Sequence, residues 1–126
     1  MGDFGSCDDI QLGFDEIKKL ASDTYANATW VDALSAVNGI YLVLDNSDGR
    51  MYVGSAYGGN GIFGRWAKYA KIGHGGNKEL KDLDPRELEF SILEIAPPTL
   101  SADEIIEREN RWNKRLRTRE FGLNSN

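Results

Sequence analysis

The chain has few of the residues that staple, anchor or metallate small proteins. It holds one cysteine, Cys7, one histidine, His74, and three prolines in 126 residues. A lone cysteine excludes an internal disulfide, and the lack of a Cys-x-x-Cys pair excludes a thiolate zinc site. No apolar run reaches the ~18 residues that a membrane helix needs. No basic-then-apolar leader precedes the first acidic residues. These absences predict a reducing compartment, the cytoplasm, and no membrane partner. What is present is ordinary for a globular chain: 40% apolar and 28% charged residues. At roughly 100–200 residues per domain, the length makes a single domain. A domain of this size buries about two thirds of its unfolded surface and needs no staple.

The formal charge of −5 argues, on its face, against nucleic acid, whose phosphates attract cations. Its placement weakens that argument. Residues 1–36 carry seven acids and two bases, which accounts for the whole excess. Residues 37–126 are neutral, with thirteen of each sign. Within them the bases cluster. One stretch, 65–81, holds Arg65, Lys68, Lys71, Lys78 and Lys81 against Glu79. A second, 108–119, holds Arg108, Arg111, Lys114, Arg115, Arg117 and Arg119 against Glu109. Each stretch reads either as a solvated helix face or as a basic patch.

Residues 1–12 are acidic and contain Gly and Ser, and read as a tail or a cloning junction. Phe14, Ile17 and Leu20 predict a helix at about 13–22, and Trp30, Leu34 and Val37 another at about 29–36. Together, residues 13–37 form a helical lead-in. Two β-like runs follow, 39–45 and 50–55, around the turn signal Asn46-Ser-Asp-Gly49. A two-residue turn at Asp48-Gly49 would pair positions that sum to 97. Any even-length loop keeps the sum odd, and parity alone fixes the faces. Ile40, Leu42 and Leu44 then share a core face with Met51 and Val53. Tyr41, Tyr52 and Gly54 share the other face.

A Gly-rich loop, Tyr57-Gly-Gly-Asn-Gly61, leads into a helix at about 62–72. There Arg65 and Tyr69 are four apart and lie on one side. Gly73-His-Gly-Gly76 breaks the chain, and Asn77 reads as the N-cap of a short helix ending near Leu83. Leu88–Ile95 alternates weakly and predicts a third strand, ended by Pro97-Pro98. Ser101-Ala-Asp-Glu104 has capping-box spacing and opens a helix to about Arg117. Glu109 falls on that helix's apolar stripe, beside Ile105 and Trp112. A carboxylate there is costly unless paired, whereas Glu107 and Arg108 point elsewhere and read as solvated.

The residues that could carry chemistry are Tyr41, Tyr52, Arg65, Tyr69, His74, Glu109 and Asn124. Each also has a structural reading. The tyrosines could be packing, Arg65 a surface charge, His74 part of a turn, Glu109 half of an ion pair, and Asn124 a backbone cap. Their order is more specific. Gly39-Ile40-Tyr41, Met51-Tyr52-Val53-Gly54, Gly64-Arg65-Trp66, Glu107-Arg-Glu-Asn-Arg-Trp112 and Gly122-Leu-Asn124 succeed one another over residues 38–126. This succession resembles the GIY-YIG nuclease family. That family includes phage homing endonucleases, some restriction enzymes and the incision subunit of bacterial excision repair. The segment Gly-His-Gly-Gly-Asn at 73–77 looks like a stand-alone bacterial subfamily.

The resemblance implies an α+β fold, a small three-stranded antiparallel sheet flanked by helices, preceded here by the helical lead-in. It implies that Tyr41 and Tyr52 supply a general base or a water-orienting group. Arg65 would stabilise phosphate charge, and Glu109 would hold one divalent ion, Mg²⁺ or Mn²⁺. Asn124 would orient the site, with Tyr69 and His74 as further members. DNA is the implied partner, with Lys68, Lys71, Lys78, Arg111 and Arg115 as contacts in the basic stretches. Nothing in the chain reads as a helix-turn-helix, zinc finger or RRM. Target choice would therefore rest on a further domain or protein partner. The alternative is a catalytically silent module on the same fold that binds nucleic acid or protein.

Overall fold

A computed structural model describes residues 4–5, 9–97 and 99–125. Cys7 and Pro98, both used above, lie outside the described residues. The chain runs β1 (Gln11–Gly13), α1 (Phe14–Ser22), α2 (Ala28–Ser35), β2 (Asn38–Asp45), β3 (Met51–Ala56) and α3 (Gly61–Ile72). Two 3₁₀ turns (Lys78–Leu80 and Pro85–Glu87) lead to β4 (Leu88–Ala96), α4 (Ala102–Leu116) and α5 (Thr118–Phe121). No helix among the described residues is long and apolar enough to cross a membrane.

The sheet is antiparallel, in the order β1-β4-β2-β3. It has four strands, not three. The additional strand comes from the end of the segment that reads as a tail. Gln11–Gly13 pairs with the free side of β4, and Ile10 and Leu12 are buried in the core. An unpaired strand edge and two apolar side chains are both satisfied by that one short strand.

The hairpin keeps the expected parity but not the expected turn. Partners sum to 95, with Tyr41 opposite Gly54 and Val43 opposite Tyr52. The loop is four residues, because Asp45 captures it. The Asp45 carboxylate accepts from the Ser47 N–H and the Ser47 hydroxyl, and its carbonyl accepts from Gly49 N–H. A side chain that ties up turn donors in this way competes with the tighter turn.

Both faces of the hairpin are buried, so the expected core face is only half of the core. Tyr41, Val43, Phe90, Leu88 and Leu12 face α1 and α3, where they meet Ile17, Leu20, Ile62, Trp66 and Tyr69. Ile40 and Val53 face α4, where they meet Ile105, Trp112 and Leu116. The weak alternation of β4 has a cause. Its register to β2 shifts between Ile40 and Tyr41, so Glu94 pairs with Ile40 and Ile92 with Tyr41, leaving Leu93 between them. The bulge turns Glu94 toward α4. Its carboxylate there accepts from Arg108 (2.6 Å) and from the indole N–H of Trp112 (3.0 Å). Arg108 is therefore half of a partly buried ion pair, not a merely solvated charge. The capping box at Ser101 and Glu104 forms as its spacing predicts.

Candidate active site

The outer strand β3 separates two helices that serve opposite faces of the sheet, α3 on one side and α4 on the other. Side chains from both reach past this edge and close a cleft of about 420 Å³. Tyr52, Gly54, Ser55, Arg65, Lys68 and Glu109 line it, together with the Gly-rich loop at 57–61.

Gly54 is required by contact. Tyr41 lies across it, and a Cβ at position 54 would sit 2.4 Å from Tyr41 Cζ and 2.5 Å from its hydroxyl. Tyr41 is fully buried, edge-on to the rings of Trp66 and Tyr69. Its hydroxyl is 3.2 Å from that of Tyr69 and lies in the field of the Arg65 guanidinium. Burial raises the Tyr41 phenol above its ordinary range, and the Arg65 charge opposes that rise. Tyr52 is half-buried and lines the cleft. Burial raises it too, with the fields of Tyr41, Glu109 and Glu79 acting in the same direction. Tyr69 is raised well above the ordinary phenol range, first by burial. All three phenols are neutral near pH 7.

Arg65 stands one turn before Tyr69 on the same side of α3, as its spacing predicts. Its Nε is buried with no hydrogen-bond partner among the described residues. A guanidinium is always charged and suits phosphate geometry, so Arg65 at the cleft wall can take an anion there. Glu109 enters from the other side. Ser55 Oγ donates to its Oε2 at 2.6 Å. Burial raises the Glu109 carboxyl above the usual range, while Ser55, Arg65 and Arg119 oppose the rise. No group of three His, Cys, Asp or Glu side chains is close enough to hold a metal ion among the described residues. The donor set is thus a single partly buried carboxylate open to a cleft. That fits a hard ion such as Mg²⁺, which binds through one or two carboxylates and keeps several waters. It does not fit a structural zinc.

The cleft does not collect every expected residue. Asn124 lies beneath it and bonds the backbone of Val53 on both sides. It accepts from the N–H at 2.8 Å and donates to the carbonyl at 3.0 Å. Its amide occupies the outer edge of β3 as a further strand would. His74 lies in the turn after α3, where its Nδ1 accepts from Gly76 N–H at 3.0 Å. Of the five expected DNA contacts, only Lys68 lines the cleft. Lys71 borders a shallow groove between α1 and α3, opposite Lys18. Arg115 lies over the ring of Trp112, while Lys78 and Arg111 are exposed.

Two site residues went unrecognised in the sequence. Ser55 holds Glu109, and hairpin parity already places it on the α4 face. Asn77 reads as a helix cap, but its side chain caps nothing. It bonds two tyrosine hydroxyls instead. The polar residue after two glycines was the available signal.

Comparison with known proteins finds a family and two similar solved structures. The profile of the GIY-YIG catalytic domain matches residues 37–124. Two solved structures of the catalytic domain of the homing endonuclease I-TevI are similar. One, described as the intron endonuclease and carrying a Glu-to-Ala mutation, shares 31% identity at a TM-score of 0.58, covering 71% of this chain and 94% of that one. The other shares 33% at 0.54, covering 69% and 96%. No curated protein sequence matches the chain.

Proposed function

The chain belongs to the GIY-YIG catalytic-domain family, and from that premise and the cleft we propose that it is a metal-dependent endonuclease acting on DNA. The observation that carries the reading is the convergence of Arg65 and Glu109 on one polar cleft walled by Tyr52.

Hydrolysis of a phosphodiester needs an oriented water, a clamp on the phosphate and relief of charge on the leaving oxygen. Arg65 receives the scissile phosphate, because it brings a permanent positive charge to the cleft wall. Lys68, one turn along α3, adds a second cation. Tyr52, at the wall, orients water through its hydroxyl oxygen. Tyr41 lies under Gly54 with Arg65 beside it, and that charge favours its phenolate over that of Tyr52. Glu109, steadied by Ser55, would hold Mg²⁺ or Mn²⁺, which when bound neutralises charge on the leaving oxygen. The family resemblance also supports DNA as partner, with target choice supplied by a further domain or protein.

Nicking of supercoiled and branched DNA in Mg²⁺ or Mn²⁺ tests the proposal against its alternative. A nuclease nicks at least one of these substrates, and Arg65→Ala abolishes the nicking. A silent module on the same fold binds DNA in a salt-dependent manner and nicks none.

A further inference from the structure

Between α3 and the first 3₁₀ turn the chain makes a tight return. Gly75, at φ +60°, passes so close to Tyr69 that a Cβ there would lie 2.5 Å from its ring. The loop closes on His74, whose Nδ1 accepts from Gly76 N–H and whose carbonyl accepts from Asn77 N–H. The return sets the Asn77 side chain between two phenols. Tyr52 Oη is 3.0 Å from Asn77 Oδ1. Asn77 Nδ2 is 2.7 Å from Tyr69 Oη, and Tyr69 Oη is 3.2 Å from Tyr41 Oη.

We propose that Asn77 is a positioning residue. Its carboxamide sets the direction of a hydrogen-bond chain through three phenols, fixing Tyr52 as a donor and leaving Tyr41 as the accepting end. The direction follows from what each atom can do. An amide oxygen only accepts, so Tyr52 must donate to Asn77. An amide nitrogen only donates, so Tyr69 must accept from it. Tyr69 is buried and has no other acceptor among the described residues, so its own proton goes to Tyr41. The chain has one more proton than it has acceptors. Directed this way, the surplus falls on the buried Tyr41 hydroxyl, packed against Gly54 beneath the cleft. Reversing the carboxamide would move the surplus to Tyr52. Asn77 therefore decides which tyrosine is free to give up a proton, without touching substrate itself. His74 serves the same end by closing the loop that presents Asn77.

The direction of the chain stands on the placement of the Asn77 amide oxygen and nitrogen, and its consequence for rate rests on the nuclease reading. The experiment keeps the two apart. The full chain is labelled with ¹³Cζ-tyrosine and each phenol is titrated by NMR without DNA. Tyr41 on β2, Glu109 on α4, Glu79 on the 3₁₀ turn and Arg65 and Tyr69 on α3 are the titratable and charged groups facing Tyr52. The Asn77 variants leave all of them in place. In Asn77→Ala, Tyr52 loses the acceptor that favours its neutral form and gains water, so its midpoint moves down. In Asn77→Asp, nearly isosteric, the carboxylate accepts from both neighbours and the Tyr52 midpoint moves up. A merely structural role moves both variants alike or neither, and either result overturns the proposal, as does an upward shift in Asn77→Ala. Where wild type nicks DNA, both variants lower kcat roughly tenfold, the worth of about one hydrogen bond, at unchanged KM. Opposite tyrosine shifts in a chain that nicks nothing would uphold the hydrogen-bond chain and reject the nuclease reading.

Discussion

Ser55 Oγ donates to Glu109 Oε2 across 2.6 Å, tying the outer strand of the sheet to the helix on its far face. It is the only hydrogen bond that holds this carboxylate among the described residues. It fixes one oxygen and leaves the other for the cleft. If Glu109 holds the divalent ion, Ser55 orients the ligand from behind. Such outer partners are worth about 10–100-fold in metal affinity. Ser55→Ala should raise the Mg²⁺ concentration for half-maximal nicking by about tenfold, with most of the rate regained at saturating Mg²⁺. A Mg²⁺ titration of nicking by the two proteins reads this directly.

The same carboxylate carries a pH signature. Burial raises the Glu109 carboxyl above its ordinary value, so the folded chain keeps this proton to higher pH than the unfolded chain does. The sign follows from linkage. The stabilising contribution is fully present below the unfolded value of about 4.3 and is lost as pH rises through the folded one. At neutral pH the ionised Glu109 works against folding. Glu109→Gln should therefore be at least as stable as wild type at pH 7, and its advantage should vanish near pH 4. Urea denaturation at the two pH values measures both.

Asn124 separates scaffold from chemistry. Its two bonds to Val53 satisfy a buried N–H and a buried carbonyl on the outer edge of β3. Asn124→Ala leaves both without partners, at about 1–3 kcal/mol each. The variant should lose roughly 2–5 kcal/mol in denaturant unfolding. Its nicking should fall in proportion to the folded fraction.

Much of this was legible in the chain. Hairpin parity put Tyr41, Tyr52 and Gly54 on one face, and the i, i+4 spacing put Arg65 with Tyr69. Turn length was not legible, because Asp45 captured the loop through its side chain, and parity is blind to a shift of two. The fourth strand was hidden because Leu12 acts on β4, about 78 residues away in sequence. Asn77 was hidden for a related reason. Its sequence neighbours suggest a cap, and only the packing of Gly75 on Tyr69 brings it to the phenols. The bulge beside Leu93 explains why β4 alternates weakly and why Glu94 meets Arg108.

Lys68 is the cation of α3 that lines the cleft with Arg65, whereas Lys71 faces a different groove. Each phosphate contact contributes about 0.9 to the slope of log affinity against log salt on duplex DNA. Lys68→Ala should reduce that slope by about one. Lys71→Ala should change it by less. Fluorescence anisotropy on duplex DNA across a salt series gives both slopes.

The account stands or falls on Glu109 acting with a divalent ion at this cleft. The direct measurement is nicking of supercoiled plasmid by wild type and by Glu109→Gln, side by side, with and without Mg²⁺. The account predicts Mg²⁺-dependent nicking by wild type and a loss of at least about 10²-fold in the variant, with the variant's stability intact. Equal rates for the two proteins, or nicking by neither on any DNA offered, would contradict it.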